Sequence, residues 1–479
     1  MAISRRRFLR LSAACTAPWL VGLGVGERQA RGAVSNEPVV VVGAGLAGLQ
    51  AANVLRKAGQ RVLVLEARGH PGGRVQTLRA PFDMGLYADA GPIRIAGAHN
   101  TVLRLVREFG LNLVPFESSN GSALISIGGS NIRADAFDSA RVPLKLRPDE
   151  ERLQPNQLLQ RYVGQLPGDV AGLEPSAASL RSWMTIDRLT WPNWLRSRGA
   201  SDAAVQLMTL GGDSSQLSAL YVLRQFALLR GATYYKIQGG MDLLPRAMVS
   251  SLRDIVRFNA AVVRMDQTSG LVRIDYMENG RMKSIKACRV IITTPLTTLR
   301  QIEVRPRFSR EKESAIEHLP YFPATRFLLQ SRSRFWYASR LSGYARTDQP
   351  AEIWDCTYDV QASAGILGVT VGGALGRKTL DLSPEQSVVF GTNLAATAFP
   401  AIRSELQKGV AQRWALEPWS KGAFVVFYPG QMASTMPHLA QPEGLVHFAG
   451  EHTSSWMGWM EGALESGERA AREVLSQAN

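Results

Sequence analysis

The chain has 479 residues, 45% of them hydrophobic and 20% charged, ordinary values for a globular protein long enough to enclose a ligand between two or three domains. Its net charge is +15, but the basic residues are scattered rather than grouped with aromatics, which argues against a nucleic-acid-binding surface. Three cysteines, Cys15, Cys288 and Cys356, make neither a disulfide framework nor a zinc site. No metal is expected, and Cys288 and Cys356 read as small buried hydrophobes.

The N-terminus carries SRRRFLRLS, Ser4 to Ser12, followed by a modest apolar run from Leu11 to Gly26. This layout predicts a twin-arginine export signal over residues 1–32, cleaved after Gly32, and a periplasmic or secreted protein. A basic amphipathic tail is the alternative. The run is too short and too rich in Gly, Ala and Ser for a membrane span, so no stable membrane insertion is expected. Six arginines against Glu27 give this segment +5, so its removal leaves +10, a balance that still favours anionic substrates.

From Val39 to Ala67 runs VVVVGAGLAGLQAANVLRKAGQRVLVLEA. Four consecutive valines predict a strand buried on both faces. Gly43, Gly45 and Gly48 follow at GxGxxG spacing, with Ala47 among them, and a helical pattern runs from Leu46 to Ala58. The first glycine permits a tight turn, the second lets a pyrophosphate approach the backbone, and the third lets helix and strand pack closely. The phosphates would sit at the helix N-terminus, where unpaired N–H groups favour anions. A second apolar strand ends in Glu66, eighteen residues past Gly48, placed to take ribose hydroxyls, with Ala67 beside it. An acid there argues for an adenine dinucleotide without a 2′-phosphate.

The next block, GHPGGRV from Gly69 to Val75, resembles the flavin-containing amine oxidase superfamily, in which an acid is followed shortly by GGR. The resemblance implies an FAD cofactor, with Gly73 close to it and Arg74 helping to hold its phosphates. Within that superfamily AGPIRI, Ala90 to Ile95, resembles the segment that L-amino-acid oxidases place beside the isoalloxazine ring. Gly91, Pro92 and Ile93 would then line the cofactor, and Arg94 would grip a substrate α-carboxylate with two prongs. A salt bridge to an internal carboxylate, Asp89 above all, is the competing role for Arg94.

Residues 141–232 read as a helical lobe, on the strength of NQLLQRYVGQL and LSALYVLRQFALL, and such a lobe matches the L-amino-acid oxidase branch. Strand patterns resume from Gly239 through AAVVRMDQ, RIDYMENG and VIITTP; Val262 matches a valine that the family lays near the adenine–ribose end. Residues 301–435 suggest further strands and one helix near Pro384 to Phe399. In PYFPATRFLLQ, Arg326 stands where many members carry a lysine that assists reaction with dioxygen. In EIWDCTYDV, Trp354 or Tyr358 is a candidate second contact for the carboxylate.

Phe424 in KGAFVVFYPG and Trp459, preceded by Gly458, match the two aromatic walls that leave a slot for an amine. Ala423 stands where monoamine oxidases carry the cysteine that binds FAD covalently, so the resemblance implies non-covalent FAD. The closing block, His447 to Leu475, is similar to the family's C-terminal flavin motif. Gly450 and Glu451 would close over the ribityl phosphate, and a helix beginning at Met460 would turn its N–H groups toward the flavin carbonyl edge.

The expected fold class is α/β: a discontinuous Rossmann-like FAD-binding domain (36–80, 237–300 and 440–479), a mixed-sheet substrate domain (81–140 and 301–435) and the helical lobe. The expected activity is oxidation of an L-amino acid to a 2-oxo acid, ammonia and hydrogen peroxide, with dioxygen as acceptor. An amine oxidase or dehydrogenase acting on a carboxylate-free amine, a tryptophan-monooxygenase-like enzyme and a non-redox flavoprotein stay open. So do the side-chain specificity and a homodimer.

Overall fold

A computed structural model describes residues 36–477, apart from 117–120, 140–141, 165–169, 171–178 and 269. The export signal expected over 1–32, with Cys15, lies outside the described residues. The valine run forms the strand Val39–Val42, central in a five-stranded parallel sheet. The sheet order is Val256–Arg257, Val62–Leu65, Val39–Val42, Arg289–Ile292, Val446–Phe448. Side chains alternate between its faces: Val40, Val42, Leu63 and Leu65 enter one core cluster, Val39, Val41, Val62 and Val64 the other. Both faces are covered, which is why the run is unbroken valine rather than alternating.

Helix Leu46–Lys57 follows the first strand and lies along helix Met460–Gln477 from the far end of the chain. Glycine makes both contacts close. A Cβ on Gly48 would lie 1.9 Å from the Gly43 carbonyl oxygen, and one on Gly467 would lie 2.2 Å from that of Ala47. The glycine turn is thereby clamped between its own strand and the C-terminal helix.

Strands Arg281–Ala287, Leu271–Glu278, Ala260–Thr268 and Glu303–Arg305 make a second sheet. A third, of seven strands, has the order Leu406–Arg413, Thr325–Ser331, Gly365–Val371, Ala351–Asp355, Leu341–Thr347, Ser122–Ile127, Ser130–Arg133. It is antiparallel except between Leu341–Thr347 and Ser122–Ile127. The named elements between 141 and 232 are five helices, packed around Trp191, Trp194 and Leu223. Their sequence carries its own start signals: Thr190, Ser201 and Ser218 each cap a helix by accepting a main-chain N–H of the first turn.

The stretch 301–435 holds more helix than the single one expected near Pro384. That helix is present as Pro384–Ala398, with a Ser383–Gln386 capping box. Arg310–His318, Gly373–Lys378 and Met432–Leu439 add to it. Glycine-rich GALGRK and the internal Pro437 obscured two of these, because both residue types read as breakers. Among the described residues no helix is long and apolar enough to cross a membrane.

Replacing Gly467 by Ala should force the two helices apart at Ala47 and cost about 1–3 kcal/mol, the usual range for overpacking. Denaturant unfolding of the G467A variant measures it; an unchanged midpoint would mean that the helix contact does not bear on stability.

Candidate active site

One cavity of about 730 Å³ runs through the protein, and its wall contains the residues singled out above as site candidates except Gly48, Trp354 and Tyr358. From the first glycine turn come Gly43, Gly45 and Ala47, joined by Glu66 and Ala67 after the second strand. Gly73, Arg74 and the run Gly91, Pro92, Ile93, Arg94 line it next. Val262, Arg326 and Phe424 come from the middle of the chain, and Gly450, Glu451, Gly458, Trp459 and Met460 from its end. Gly48 lies beneath, where it packs on Gly43. Its part is to bring the helix close.

The glycine end of the cavity is built to receive a ligand with phosphates. Helix Leu46–Lys57 starts at Gly45 with no side-chain cap, and a Cβ on Gly45 would meet nothing within 4 Å. Its first-turn N–H groups therefore face open space. Glu66 accepts the main-chain N–H of Ala44 at 2.6 Å and of Arg68 at 2.8 Å, which fixes the turn. Burial raises its carboxyl pKa, partly offset by these two bonds. Thr294 also lines the cavity, and its buried Oγ1 has no hydrogen-bond partner within the protein. A buried hydroxyl left so calls for a partner from a ligand. The open helix end, the bare Gly45 and this hydroxyl fit a dinucleotide.

Arg74 joins the two ends of the chain. Its guanidinium donates to the Ala423 carbonyl at 2.9 Å and to Glu451 Oε1 at 2.8 Å. Glu451 in turn accepts from the N–H of Val425 at 3.1 Å and of Gly458 at 2.8 Å. Burial opposes the Arg74 charge, but Glu451 outweighs it and raises the pKa. Both residues face each other across the cavity wall, so the carboxylate of Glu451 is engaged by Arg74 and by the turn that presents Trp459.

Helix Met460–Gln477 begins as expected, and its Glu461 accepts the N–H groups of Thr101 and Val102 at 2.8 and 2.9 Å. That carboxylate caps the neighbouring helix Asn100–Glu108. Trp459 donates its indole N–H to Gln225 at 2.8 Å and meets His99 edge-on at 5.0 Å. Phe424 stacks on Phe322 at 5.3 Å, and a Cβ on Gly458 would lie 3.4 Å from its ring. Each aromatic is thus supported from behind. Ala423 lies in the same wall.

Arg94 has an anion, and it is Glu352. The pair stands at 2.5 Å, Arg94 NH2 to Glu352 Oε1, with the Tyr344 hydroxyl donating to the same oxygen at 2.7 Å. The Arg94 guanidinium also lies 4.6 Å from the centre of the Phe116 ring. Burial works against the charged guanidinium, yet Glu352 raises its pKa. Burial would likewise raise the Glu352 carboxyl, but Arg94 and Tyr344 hold it below the usual carboxylate range. Asp89, the suspected partner, is engaged elsewhere: it accepts from Thr77 Oγ1 at 2.5 Å and from the Met241 N–H at 3.0 Å.

Arg326 is tied down differently. Its Nε donates to Thr370 Oγ1 at 3.0 Å, and its NH1 to the carbonyls of Asp89, at 3.1 Å, and Gly91. Burial lowers its pKa to about 10. Trp354 does not line the cavity; it lies against Arg326, 5.1 Å from the guanidinium. Tyr358 is also outside the wall, its hydroxyl donating to the Pro115 carbonyl at 2.5 Å. Neither is the second carboxylate contact expected of that segment. Glu352 and Trp354 are two residues apart and so share one face of their strand; Glu352, opposite Thr370, lines the cavity, while Trp354, opposite Gly368, packs against Arg326.

Three lining groups escaped the sequence reading. Glu352 stood two residues before the tryptophan that drew attention. Thr294 followed an apolar strand as an ordinary polar end. Tyr221, Gln225 and Leu229 all line the cavity, and their spacing of four marks one face of a helix; that face reads as core unless a glutamine within it is weighed. Among the described residues no group of three His, Cys, Asp or Glu could hold a metal.

A family model described as flavin-containing amine oxidoreductase matches residues 46–475. The chain is 32% identical over 458 residues to the YobN protein of Bacillus subtilis (strain 168), covering 91% of this chain and 94% of that one. It is 30% identical over 456 residues to an L-amino-acid oxidase of Vipera ammodytes ammodytes, covering 91% and 92%. Among solved structures, putrescine oxidase bound to putrescine aligns with a TM-score of 0.79 at 22% identity, covering 92% of this chain and 99% of that one. Cyclohexylamine oxidase from Brevibacterium oxydans IH-35A aligns with a TM-score of 0.76 at 23% identity and the same coverage. These structural likenesses bear on the fold.

Burial pushes the Asp89 carboxyl up to about 6. A carboxyl whose folded pKa exceeds its unfolded value, near 3.9, binds more protons when folded across the interval between them. Stability therefore falls as pH rises from about 4 to about 6. Asp89→Asn keeps an oxygen for both donors and removes the charge. The variant should match the parent in thermal melts at pH 4 and exceed it at pH 7 by roughly 1–3 kcal/mol; equal stability at both would refute the assignment.

Proposed function

The chain belongs to the flavin-containing amine oxidoreductase family, and on that premise we propose that it binds FAD non-covalently and oxidises the α-amino group of an L-amino acid. The products are a 2-oxo acid, ammonia and, with dioxygen as acceptor, hydrogen peroxide. The observation that carries this reading is Arg94, a guanidinium in the cavity wall directly after the Gly91–Ile93 run and in the same cavity as Phe424 and Trp459. The relatives named L-amino-acid oxidases support it over most of the chain. Non-covalent binding is supported by Ala423 and by Cys288 and Cys356, neither of which lines the cavity.

FAD supplies a two-electron acceptor for the hydride leaving the substrate Cα. The protein holds and orients. The open N-terminus of helix Leu46–Lys57 and Thr294 would take the dinucleotide, with Glu66 at the ribose and the turn between Gly450 and Met460 closing over the remainder. Met460 begins a helix whose N–H groups stabilise negative charge at its end. Arg94 would bind the α-carboxylate, and Phe424 and Trp459 would bound the slot that admits the amine. Tyr221 and Gln225, which line the cavity from the helical lobe, would meet the substrate side chain. No protein base is required if the amine reacts in its neutral form. Export by the twin-arginine route, proposed from Ser4 to Ser12, suits a protein that folds around its cofactor.

One observation favours a second reading. Arg94 already has Glu352, so it could be a structural ion pair in an enzyme for amines without a carboxylate. Anaerobic mixing of the flavin-loaded protein with L-amino acids and simple amines separates the two. Under the first reading several amino acids bleach the flavin, and Arg94→Ala lowers that kcat/KM about 100-fold or more, with Arg94→Lys recovering little because it lacks the planar fork. Bleaching by amines alone, indifferent to Arg94, would establish the second. Bleaching by nothing would leave a non-redox flavoprotein.

Arg326 bears on the other half of the reaction. An arginine cannot give up its proton and is wider than the lysine it replaces. In Arg326→Lys, reoxidation by dioxygen should quicken severalfold while anaerobic bleaching changes less. A variant slowed equally in both steps would show that Arg326 only braces the segment from Asp89 to Gly91.

A further inference from the structure

Three adjacent strands of the seven-stranded sheet set a polar row into the cavity floor. Arg326 is paired with Thr370, and Thr370 with Glu352, so the three side chains share one face at neighbouring positions. All three line the cavity, together with Arg94. Arg326 is committed to Thr370 and to two main-chain carbonyls. Arg94 and Glu352 differ. Glu352 takes both of its bonds, from Arg94 and from Tyr344, on Oε1. Among the described residues, Oε2 takes none. Both side chains retain about a fifth of their surface, 21% for Arg94 and 23% for Glu352, and both line the cavity.

A cation and an anion held 2.5 Å apart at a cavity wall match a ligand whose own opposite charges are separated by one carbon. An α-amino acid in its zwitterionic form is such a ligand. If its carboxylate takes the free edge of the Arg94 guanidinium, its ammonium lies within a few ångströms of Glu352, closer than any group further along a side chain. A lone carboxylate would instead meet Glu352 as a like charge with nothing to offset it, which costs affinity.

We propose that Glu352 is a specificity-determining residue: its free Oε2 accepts the substrate α-ammonium, so that Arg94 and Glu352 together read the zwitterion. The inference rests on the Arg94 clamp proposed above and assigns it a second half. The carboxylate serves as an acceptor at docking only; the ammonium gives its proton to water before the hydride leaves, so that the amine reacts in its neutral form. Substrates that pair a carboxylate with a neighbouring amine bind; carboxylates without the amine and amines without the carboxylate are disfavoured. The cavity thereby selects the amino acid before any hydride moves.

The test uses flavin-loaded protein and two ligands that cannot be oxidised, built on the amino acid that bleaches fastest. For phenylalanine these are α-methyl-L-phenylalanine, which lacks the Cα hydrogen, and 3-phenylpropionate, which lacks the amine. Calorimetric titration of the Glu352→Gln variant should show the first binding about 10- to 100-fold more weakly than in the parent, the range for a lost hydrogen bond to a charged group. The second should bind as well as in the parent or better. Glu352→Asp, which keeps the charge on a shorter stem, should lose less for the zwitterion than Glu352→Gln. Parallel weakening of both ligands in both variants would overturn the proposal, since Glu352 would then only position Arg94. Parallel tightening would overturn it too, making Glu352 a mere competitor for Arg94. If Arg94→Ala leaves both affinities unchanged in an otherwise normal protein, it is the clamp itself that fails.

Discussion

Two missing side chains hold the two ends of this chain together. Gly48 lets the first helix lie against the turn at Gly43, and Gly467 lets the last helix reach the Ala47 carbonyl. Because the helices meet at backbone distance, the N-terminal glycine turn and the C-terminal turn from Gly450 to Met460 line the same cavity. The Arg74–Glu451 pair continues that junction, and Glu451 extends it to Gly458. The half of the cavity suited to a dinucleotide thus depends on contacts between residues some four hundred positions apart in the chain.

The other half is made by the seven-stranded sheet and the helical lobe, and its problem is charge. Burying a guanidinium without a partner is costly, while a lost partner is costlier than a replaced one. The two arginines of the site solve this differently. Arg326 is surrounded by neutral oxygens, and burial lowers its pKa to about 10. Arg94 is compensated by a full negative charge, and its pKa rises. A side chain braced by main-chain carbonyls is part of the wall, whereas one braced by a carboxylate with an open oxygen can take part in exchange.

The glycine turn, both of its strands and the two helices at the ends of the chain were legible in the sequence, because each depends on local pattern: valine runs, glycine spacing, a helical stripe. That Gly43, Gly45 and Glu66 line one cavity follows from the same local pattern. What could not be read was the register of one strand against another. Nothing local to EIWDCTYDV says that Glu352 sits opposite Thr370, or that Trp354 packs beneath Arg326 rather than facing the cavity. Nor does LSALYVLRQFALL say that the face carrying Tyr221 and Gln225 meets the cavity and not the core. Asp89 was the natural partner for Arg94 because it is near in sequence; strand pairing brought one 258 residues away.

That distant partner explains how a cation suited to a substrate carboxylate can be kept in a largely apolar wall. Alone, Arg94 would bear the full cost of burial whenever the cavity held no acid, and the segment around it would favour conformations that expose it. Glu352 supplies the missing charge at rest, Tyr344 holds Glu352 in place, and the Phe116 ring shields the far side. The pair is stable because it uses only part of each group, one nitrogen of the guanidinium and one oxygen of the carboxylate. What is left over on each side is of opposite sign and adjacent, so on the proposed reading the same arrangement that keeps Arg94 in the wall also favours a zwitterion over either half of it.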